Sequence, residues 1–224
     1  MRNPRVKICG LTREEDLAVA VAAGADAVGF LVGVPSSPRN LTLEKAKTLL
    51  KQVPVFVDSV VVTPPTSIEW LVKVCERLKP SAIQIHGKEM LDSSKIHKKI
   101  KETRLIKTVY VTKDALNEKA IEELKTFDAV LLDSFIKGQY GGTGKVHDWM
   151  LSRQIKEAVT PVPVILAGGL KPENVKDAIL AVHPYAVDVA SGVEASPAIK
   201  DHKKVRAFIE NAKQIKLNNK VNIK

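Results

Sequence analysis

The sequence predicts a single closed (β/α)₈ barrel of the TIM type. Three observations carry this expectation: eight short apolar runs, eight longer amphipathic segments alternating with them, and a length of 224 residues. A closed barrel of eight strand–helix units needs about 200–250 residues, so the units leave little chain to spare. The whole chain, 1–224, is therefore expected to form one barrel without an internal boundary.

The runs begin near Val6, Ala27, Val55, Ala82, Leu105, Ala129, Val162 and Ala186. Each is rich in β-branched residues, as a parallel strand buried on both faces should be. The segments between them read as helices. Glu14–Ala23 is the first, and Leu43–Lys51 follows with Thr42 as its expected N-cap. Ser67–Lys79 places Ile68, Leu71, Val72, Cys75 and Leu78 on one face. Further helices are expected near Met90–Lys101, Lys113–Lys125, Asp148–Val159, Pro172–Leu180 and Lys200–Ile215, with Pro172 in a first turn. An open doubly wound sheet would use fewer strands and, for a dinucleotide, a G-x-G-x-x-G after the first strand. The turn there reads Cys9-Gly10-Leu11-Thr12.

Composition narrows the function classes. Hydrophobic residues make up 45% and charged residues 27%, so disorder is expected only over Leu217–Lys224. Two cysteines, Cys9 and Cys75, stand far apart with no CxxC or His/Cys cluster. No structural zinc, catalytic metal or disulfide scaffold is expected, and the compartment expected is the reducing cytoplasm. The run Leu17–Val34 carries Asp26 and three glycines and reads as helix, turn and strand, so no membrane partner is expected. The net charge of +10 comes from scattered Lys and Arg with 4% aromatic residues. That is a solvated basic surface able to draw in a small anion, and nucleic acid is not expected as a partner.

In a barrel of this kind the C-terminal ends of the strands face the active-site mouth. Several strands here end in polar residues. Strand one reads Val6-Lys7-Ile8-Cys9, strand four Ile83-Gln84-Ile85-His86, strand six Val130-Leu131-Leu132-Asp133, and strand eight Val187-Asp188-Val189-Ala190. Side chains alternate along a strand, so Val6, Ile8, Ile83 and Ile85 should face the helices. Lys7, Cys9, Gln84 and His86 should then point inward. An inward Lys or Gln is costly unless hydrogen-bonded or at a wet site. Singly, each has a plain structural reading: Cys as a small buried hydrophobe, His as a hydrogen-bonder, Asp as a loop cap. Their convergence predicts a polar mouth ringed by Cys9, His86, Asp133 and Asp188.

Two glycine-bearing turns follow strands seven and eight, at Ala167-Gly168-Gly169-Leu170 and Ala190-Ser191-Gly192-Val193. Glycines let backbone N–H groups approach an oxyanion, and barrels often seat phosphate at these two turns. Tight turns alone would also explain them. A third cluster, Gly138–Gly144 with Gly142 inside it, lacks the spacing of a P-loop. It reads as a lid over the site or as a plain mobile loop.

Taken in order, Lys7-Ile8-Cys9-Gly10-Leu11-Thr12, Gly24-Ala25-Asp26-Ala27-Val28-Gly29-Phe30, Ser37-Pro38-Arg39, Gln84-Ile85-His86-Gly87, Leu131-Leu132-Asp133-Ser134, Gly141-Gly142-Thr143-Gly144, Ala167-Gly168-Gly169-Leu170 and Val187–Glu194 resemble the phosphoribosylanthranilate isomerases of tryptophan biosynthesis. The resemblance spans nearly the whole chain. It implies an Amadori rearrangement of N-(5-phosphoribosyl)anthranilate to the 1-amino-1-deoxyketose phosphate, without cofactor, in a monomer or homodimer. By the same resemblance Cys9 would be the general base and Asp133 the general acid. Arg39 would hold the anthranilate carboxylate, and Asp188 would lie near the substrate amine. Lys7, Gln84, His86 and Gly142 would line the substrate, and Gly168, Gly169, Ser191 and Gly192 would hold its phosphate. This chemistry asks for an acid of raised pKa and a base of lowered pKa, the latter through Lys7 or a bound cation.

Three positions depart from the family pattern: Phe56–Thr63 lacks a glycine, Asn40 stands where an aromatic is common, and Ala167 where Ser is frequent. Other phosphate-binding barrels, such as indoleglycerol-phosphate synthase or ribulose-phosphate epimerase, would want Lys/Glu or metal-binding His/Asp sets at the strand ends.

Overall fold

In the computed structural model, which describes residues 2–87, 92–134 and 147–217, eight parallel strands close on themselves. They are β1 (Arg5–Ile8), β2 (Ala27–Val32), β3 (Asp58–Thr63), β4 (Ala82–Ile85), β5 (Arg104–Tyr110), β6 (Ala129–Asp133), β7 (Val164–Leu166) and β8 (Ala186–Val189). Each pairs in parallel with the next, and β8 returns to β1, where Lys7 lies opposite Asp188 on one side and Ala27 on the other. Eight helices flank the ring: α1 (Glu14–Ala22), α2 (Leu43–Leu50), α3 (Ile68–Leu78), α4 (Ser93–Lys99), α5 (Glu118–Leu124), α6 (Trp149–Ala158), α7 (Val175–Val182) and α8 (His202–Lys213). A two-residue strand, Asn40–Leu41, pairs in parallel with the end of β2 at Leu31 and Val32, and Glu194–Ser196 pairs antiparallel with Ile199–Lys200 after β8.

Polar side chains start most of the helices. Thr42 accepts from the Lys45 N–H, as its position before an apolar face predicts, and Ser67 accepts from Trp70. Asp92, Asn117, Asp148 and Asp201 each cap the helix that follows them. Such a cap is typically worth about 1 kcal/mol.

Where the boundaries differ from expectation, local chemistry explains the shift. β3 begins at Asp58 rather than Val55. Val55 and Phe56 are 80% and 99% exposed, and Phe56 takes φ 72°, incompatible with a strand. β7 begins at Val164, because Pro161 and Pro163 offer no N–H to a sheet ladder. The helix expected over Lys113–Lys125 is two elements, a 3₁₀ turn at Lys113–Leu116 and α5, because Asn117 caps the second. Pro172 precedes α7 instead of opening it, and Lys200 lies in the short hairpin before α8. α4 begins at Ser93, after its Asp92 cap, rather than near Met90. At the chain's end Leu217 is buried and bridged to Arg2, so disorder does not begin there, and 218–224 lie outside the described residues.

Alternation along the strands sorts side chains into two apolar regions. Val6, Ile8, Phe30, Ile83, Leu132 and Val187 belong to the layer between barrel and helices. Val60, Ala82, Ile106, Leu131, Ile165 and Ala186 fill the barrel's lower interior. Above this floor the interior turns polar with Lys7, Gln84, Thr108 and Asp188, all buried. The mouth opens above that storey.

Candidate active site

Lys7 organises the polar storey. Its ammonium donates to Asp188 Oδ1 at 3.0 Å and to Gln84 Oε1 at 2.8 Å, and Gln84 Nε2 donates to Thr108 Oγ1 at 3.1 Å. The lysine and Asp188 side chains are only 4% and 9% exposed, so each charge depends on the other for solvation. Burial alone would push the Lys7 pKa down, but Asp188 and Cys9 outweigh it and hold the ammonium above its ordinary range. Thr108 was not singled out by the sequence. The alternation Ile106, Thr108, Tyr110 along β5 is the signal that would have found it, because it sends these three inward.

Cys9 directly follows β1, anchored by its N–H on Val189 O at 2.8 Å. Its thiol is buried beside Gly29, where a Cβ would come within 2.7 Å of the sulfur. β2 therefore needs glycine there to leave room for the thiol. The pKa requirement read from the sequence is corrected here. Burial pushes the Cys9 thiol up, and the nearby Lys7 and Lys200, which pull it down, do not prevail. In the resting protein Cys9 is a thiol.

Asp133 ends β6 and is buried. Burial raises its pKa to about 6 and the Asp188 charge adds to the rise, against the Ser134 N–H, which donates to Oδ1 at 2.8 Å. Both Cys9 and Asp133 thus sense the Lys7–Asp188 pair from the mouth side. Asp133 prefers its proton when folded and ionises at its ordinary pKa when unfolded. Its ionisation therefore costs stability, by nothing below about pH 4 and fully above about pH 6. A rise from 3.8 to about 6 corresponds to roughly 3 kcal/mol at most. Asp133→Asn is accordingly expected to raise Tm at pH 7–8 and to match the parent near pH 4. Thermal melts across that range check it; equal melts throughout would show that the buried carboxyl is not strained by its charge.

His86 stands at the top of β4 with Nε2 at 3.3 Å from Tyr110 Oη, their rings edge to face. Burial, with Lys107 and Lys7 nearby, lowers its pKa to about 4, so the imidazole is neutral near pH 7. Ser134 Oγ meets His147 Nδ1 at 3.3 Å, and burial holds His147 near 4 as well.

The turns after β7 and β8 pack on each other and on Asp133. Gly168 and Gly169 both have positive φ, at 76° and 67°. A Cβ on Gly168 would strike Ser134 Oγ at 2.3 Å, and one on Gly192 would lie 1.9 Å from Leu170 O. Ser191–Val193 form one 3₁₀ turn. Close packing by itself thus demands glycine at 168 and 192. Gly142 and the glycine cluster around it lie outside the described residues.

Arg39 departs most from its expected setting. Its Nε and Nη2 donate to Glu194 Oε1 and Oε2 at 2.7 and 2.6 Å, and Lys200 Nζ reaches Oε1 at 2.9 Å. The guanidinium is engaged rather than open on all sides. Glu194 stands in a run the sequence offered, but its partner came from 155 positions away and left no local trace. Among the described residues no group of three or more His, Cys, Asp or Glu side chains is arranged to hold a metal ion. No helix among them is long and apolar enough to cross a membrane.

A closed parallel barrel with a buried thiol and a carboxyl of raised pKa around one ion pair defines a barrel enzyme of the acid–base class. Residues 6–211 match the family model described as N-(5'-phosphoribosyl)anthranilate (PRA) isomerase. The chain belongs to this family, the aldose–ketose isomerases of tryptophan biosynthesis. It is 45% identical over 213 residues to the N-(5'-phosphoribosyl)anthranilate isomerase of Methanocella arvoryzae, covering 95% of this chain and 99% of the relative. Among solved structures it is similar to a phosphoribosyl anthranilate isomerase in complex with reduced 1-(o-carboxyphenylamino)-1-deoxyribulose 5-phosphate, with TM-score 0.78, 38% identity, and 95% and 100% of the two chains covered. It is also similar to monomers generated from the dimeric phosphoribosylanthranilate isomerase of Thermotoga maritima, with TM-score 0.77, 36% identity, and 95% and 100% covered.

Proposed function

We propose that Asp133 and Cys9 divide the proton transfers of the isomerisation between them. Protonated Asp133 donates to the ribose ring oxygen as the C1′–O bond breaks, and the anilino nitrogen's lone pair forms the C=N bond of an iminium. The iminium acidifies the C2′ proton. Cys9, as thiolate, removes it; the C–H electron pair forms the C1′=C2′ bond while the C=N π pair returns to the nitrogen, giving an enolamine that tautomerises to the 2-ketone. The nitrogen serves as the electron sink, so the residues named suffice without a cofactor. The observation that carries this reading is the pair of buried groups, one thiol and one carboxyl with pKa about 6, flanking the Lys7–Asp188 pair. Arg39 receives the anthranilate carboxylate, while Gly168, Gly169, Ser191 and Gly192 seat the phosphate. Gln84, His86 and Gly142 line the substrate, and Asp188 faces its amine. The reactive form is the minority one in which Asp133 holds its proton and Cys9 has already given its own to solvent; the iminium's positive charge then stabilises the thiolate, because an opposite charge at contact favours the ionised sulfur. The test is consumption of freshly prepared phosphoribosylanthranilate, followed by its fluorescence. No turnover by the wild-type chain would overturn the reading.

The assembly we propose is a homodimer, working in the cytosol. Two features at the barrel's N-terminal end support it. Val55 and Phe56 project there almost wholly exposed, an unusual outlay of apolar surface for a strained turn. A recess of about 340 Å³ lies at the same end, bordered by Val60, Ile106, Ile165 and Tyr185 as well as Arg5 and Arg104. A two-fold pairing would let each protomer's projection enter its partner's recess. Both cysteines are free and buried, as a reducing compartment suits. Phe56→Asp is expected to halve the mass seen by sedimentation and to leave kcat within about twofold, since the loop is remote from the mouth. A wild-type chain that sediments as a monomer would exclude the dimer.

A further inference from the structure

Glu194 and Lys200 take no part in the proton transfers, yet they are buried at the mouth with side chains 5% and 0% exposed. They face each other across the Glu194–Ser196 and Ile199–Lys200 hairpin. Lys200 Nζ is held by Ala190 O at 2.9 Å as well as by Glu194. The Lys200 N–H donates to the buried Asp16 carboxylate at 3.1 Å, and Asp16 is bonded in turn to His202 at 2.9 Å. Burying these groups is costly, and a fixed hydrogen-bond frame is what it secures.

The frame ends on Arg39. Burial alone would raise the Glu194 pKa, but Arg39 and Lys200 outweigh it, so Glu194 stays ionised. It occupies one fork of the guanidinium, the Nε–Nη2 edge. A guanidinium is planar and offers a second fork, Nη1–Nη2, in the same plane. The stem of Arg39 is fixed too. It lies on the backbone of Gly10, where a Cβ would come within 2.6 Å of Arg39 Cδ. The second fork is therefore held in one orientation, and the guanidinium's charge is felt by Cys9. One carboxylate also serves two cations here, which leaves a positive excess for a further anion.

We propose that Glu194 is a positioning residue that, braced by Lys200, aims the free fork of Arg39 at the carboxylate on the substrate's aromatic ring. It thereby sets the preference for carboxylated over uncarboxylated N-aryl aminopentose phosphates. The proposal rests on the reading that Arg39 binds that carboxylate. Two probes test it: reduced 1-(o-carboxyphenylamino)-1-deoxyribulose 5-phosphate and its phenylamino counterpart without the carboxyl group. Their dissociation constants are measured by calorimetry for wild type, Arg39→Ala, Glu194→Asp and Glu194→Gln. Glu194→Asp keeps the charge and loses the reach, while Glu194→Gln keeps the shape and loses the charge. Both are expected to cut the preference for the carboxylated probe by about tenfold, the worth of one charge-assisted hydrogen bond, and to raise KM more than they lower kcat. Binding of the uncarboxylated probe should stay within about twofold of wild type. Equal weakening of both probes would reduce Glu194 to a structural role. Tighter binding of the carboxylated probe by Glu194→Gln would make Glu194 a competing anion and overturn the proposal. If Arg39→Ala keeps the full preference, the underlying reading of Arg39 fails instead, whatever the Glu194 variants do.

Discussion

Asp133→Asn is expected to lower kcat by about 10²–10⁴-fold, the usual contribution of a positioned general acid. The amide matches the carboxyl in shape and can still accept the Ser134 N–H, so substrate binding should change little and KM should stay within a few-fold. It has no proton to give to the ring oxygen, so the loss falls on the transition state. The same variant is expected to be more stable at neutral pH. Catalysis and stability would then move in opposite directions through one atom replaced in a buried group, a combination that general damage to the fold cannot produce. Steady-state fluorescence kinetics supply kcat and KM separately. A kcat within tenfold of the parent would remove Asp133 from its role.

Cys9→Ala should cost a comparable factor, about 10²–10⁴-fold in kcat, and Cys9→Ser should rescue little because an alcohol ionises far less readily than a thiol. The pH profile adds a sharper test. Asp133 loses its proton near pH 6, while Cys9 ionises above its ordinary range. The form with Asp133 protonated and Cys9 ionised is then always a minority. Its population rises tenfold per pH unit below about 6 as the thiolate grows in. It stays level between the two pKa values, and falls above the thiol's as Asp133 continues to empty. The kcat/KM of the wild type should therefore show a broad plateau with an acidic limb near pH 6 and a basic limb above the ordinary thiol range. A single optimum below pH 5 would contradict the order of the two groups. Alkylation by iodoacetamide should be slow near pH 7 in the free protein, for the same reason that the thiol is buried and protonated.

Much of this was legible in the chain. Strand residues such as Val6-Lys7-Ile8 gave away both the alternation and the side of the sheet on which the charge sits, because period-two patterning is a local property. The barrel and the family follow from signals of that kind, repeated in order. What could not be read depends on partners distant in sequence. Nothing in Pro54-Val55-Phe56 says that apolar residues there will lack a sheet neighbour. The bond from Arg39 to Glu194 joins residues 155 positions apart, and no window of sequence contains both. The direction of the Cys9 shift is hidden from the sequence because Lys7 is visible two residues away, whereas the burial that outweighs it comes from residues distant in the chain. Asp133 went the expected way because desolvation was the effect invoked for it.

The closure of the sheet has a consequence for inheritance. The thiol and the carboxyl sit at the ends of β1 and β6, so the span between them is fixed by the girth of the ring. The guanidinium and its brace come from a connecting segment and a hairpin outside that ring. Loops and turns tolerate exchange far better than barrel strands do. A descendant of this chain could therefore acquire a different aromatic amine, or lose the need for one, by editing its rim alone. Its ability to move a proton off a sugar carbon would pass on intact.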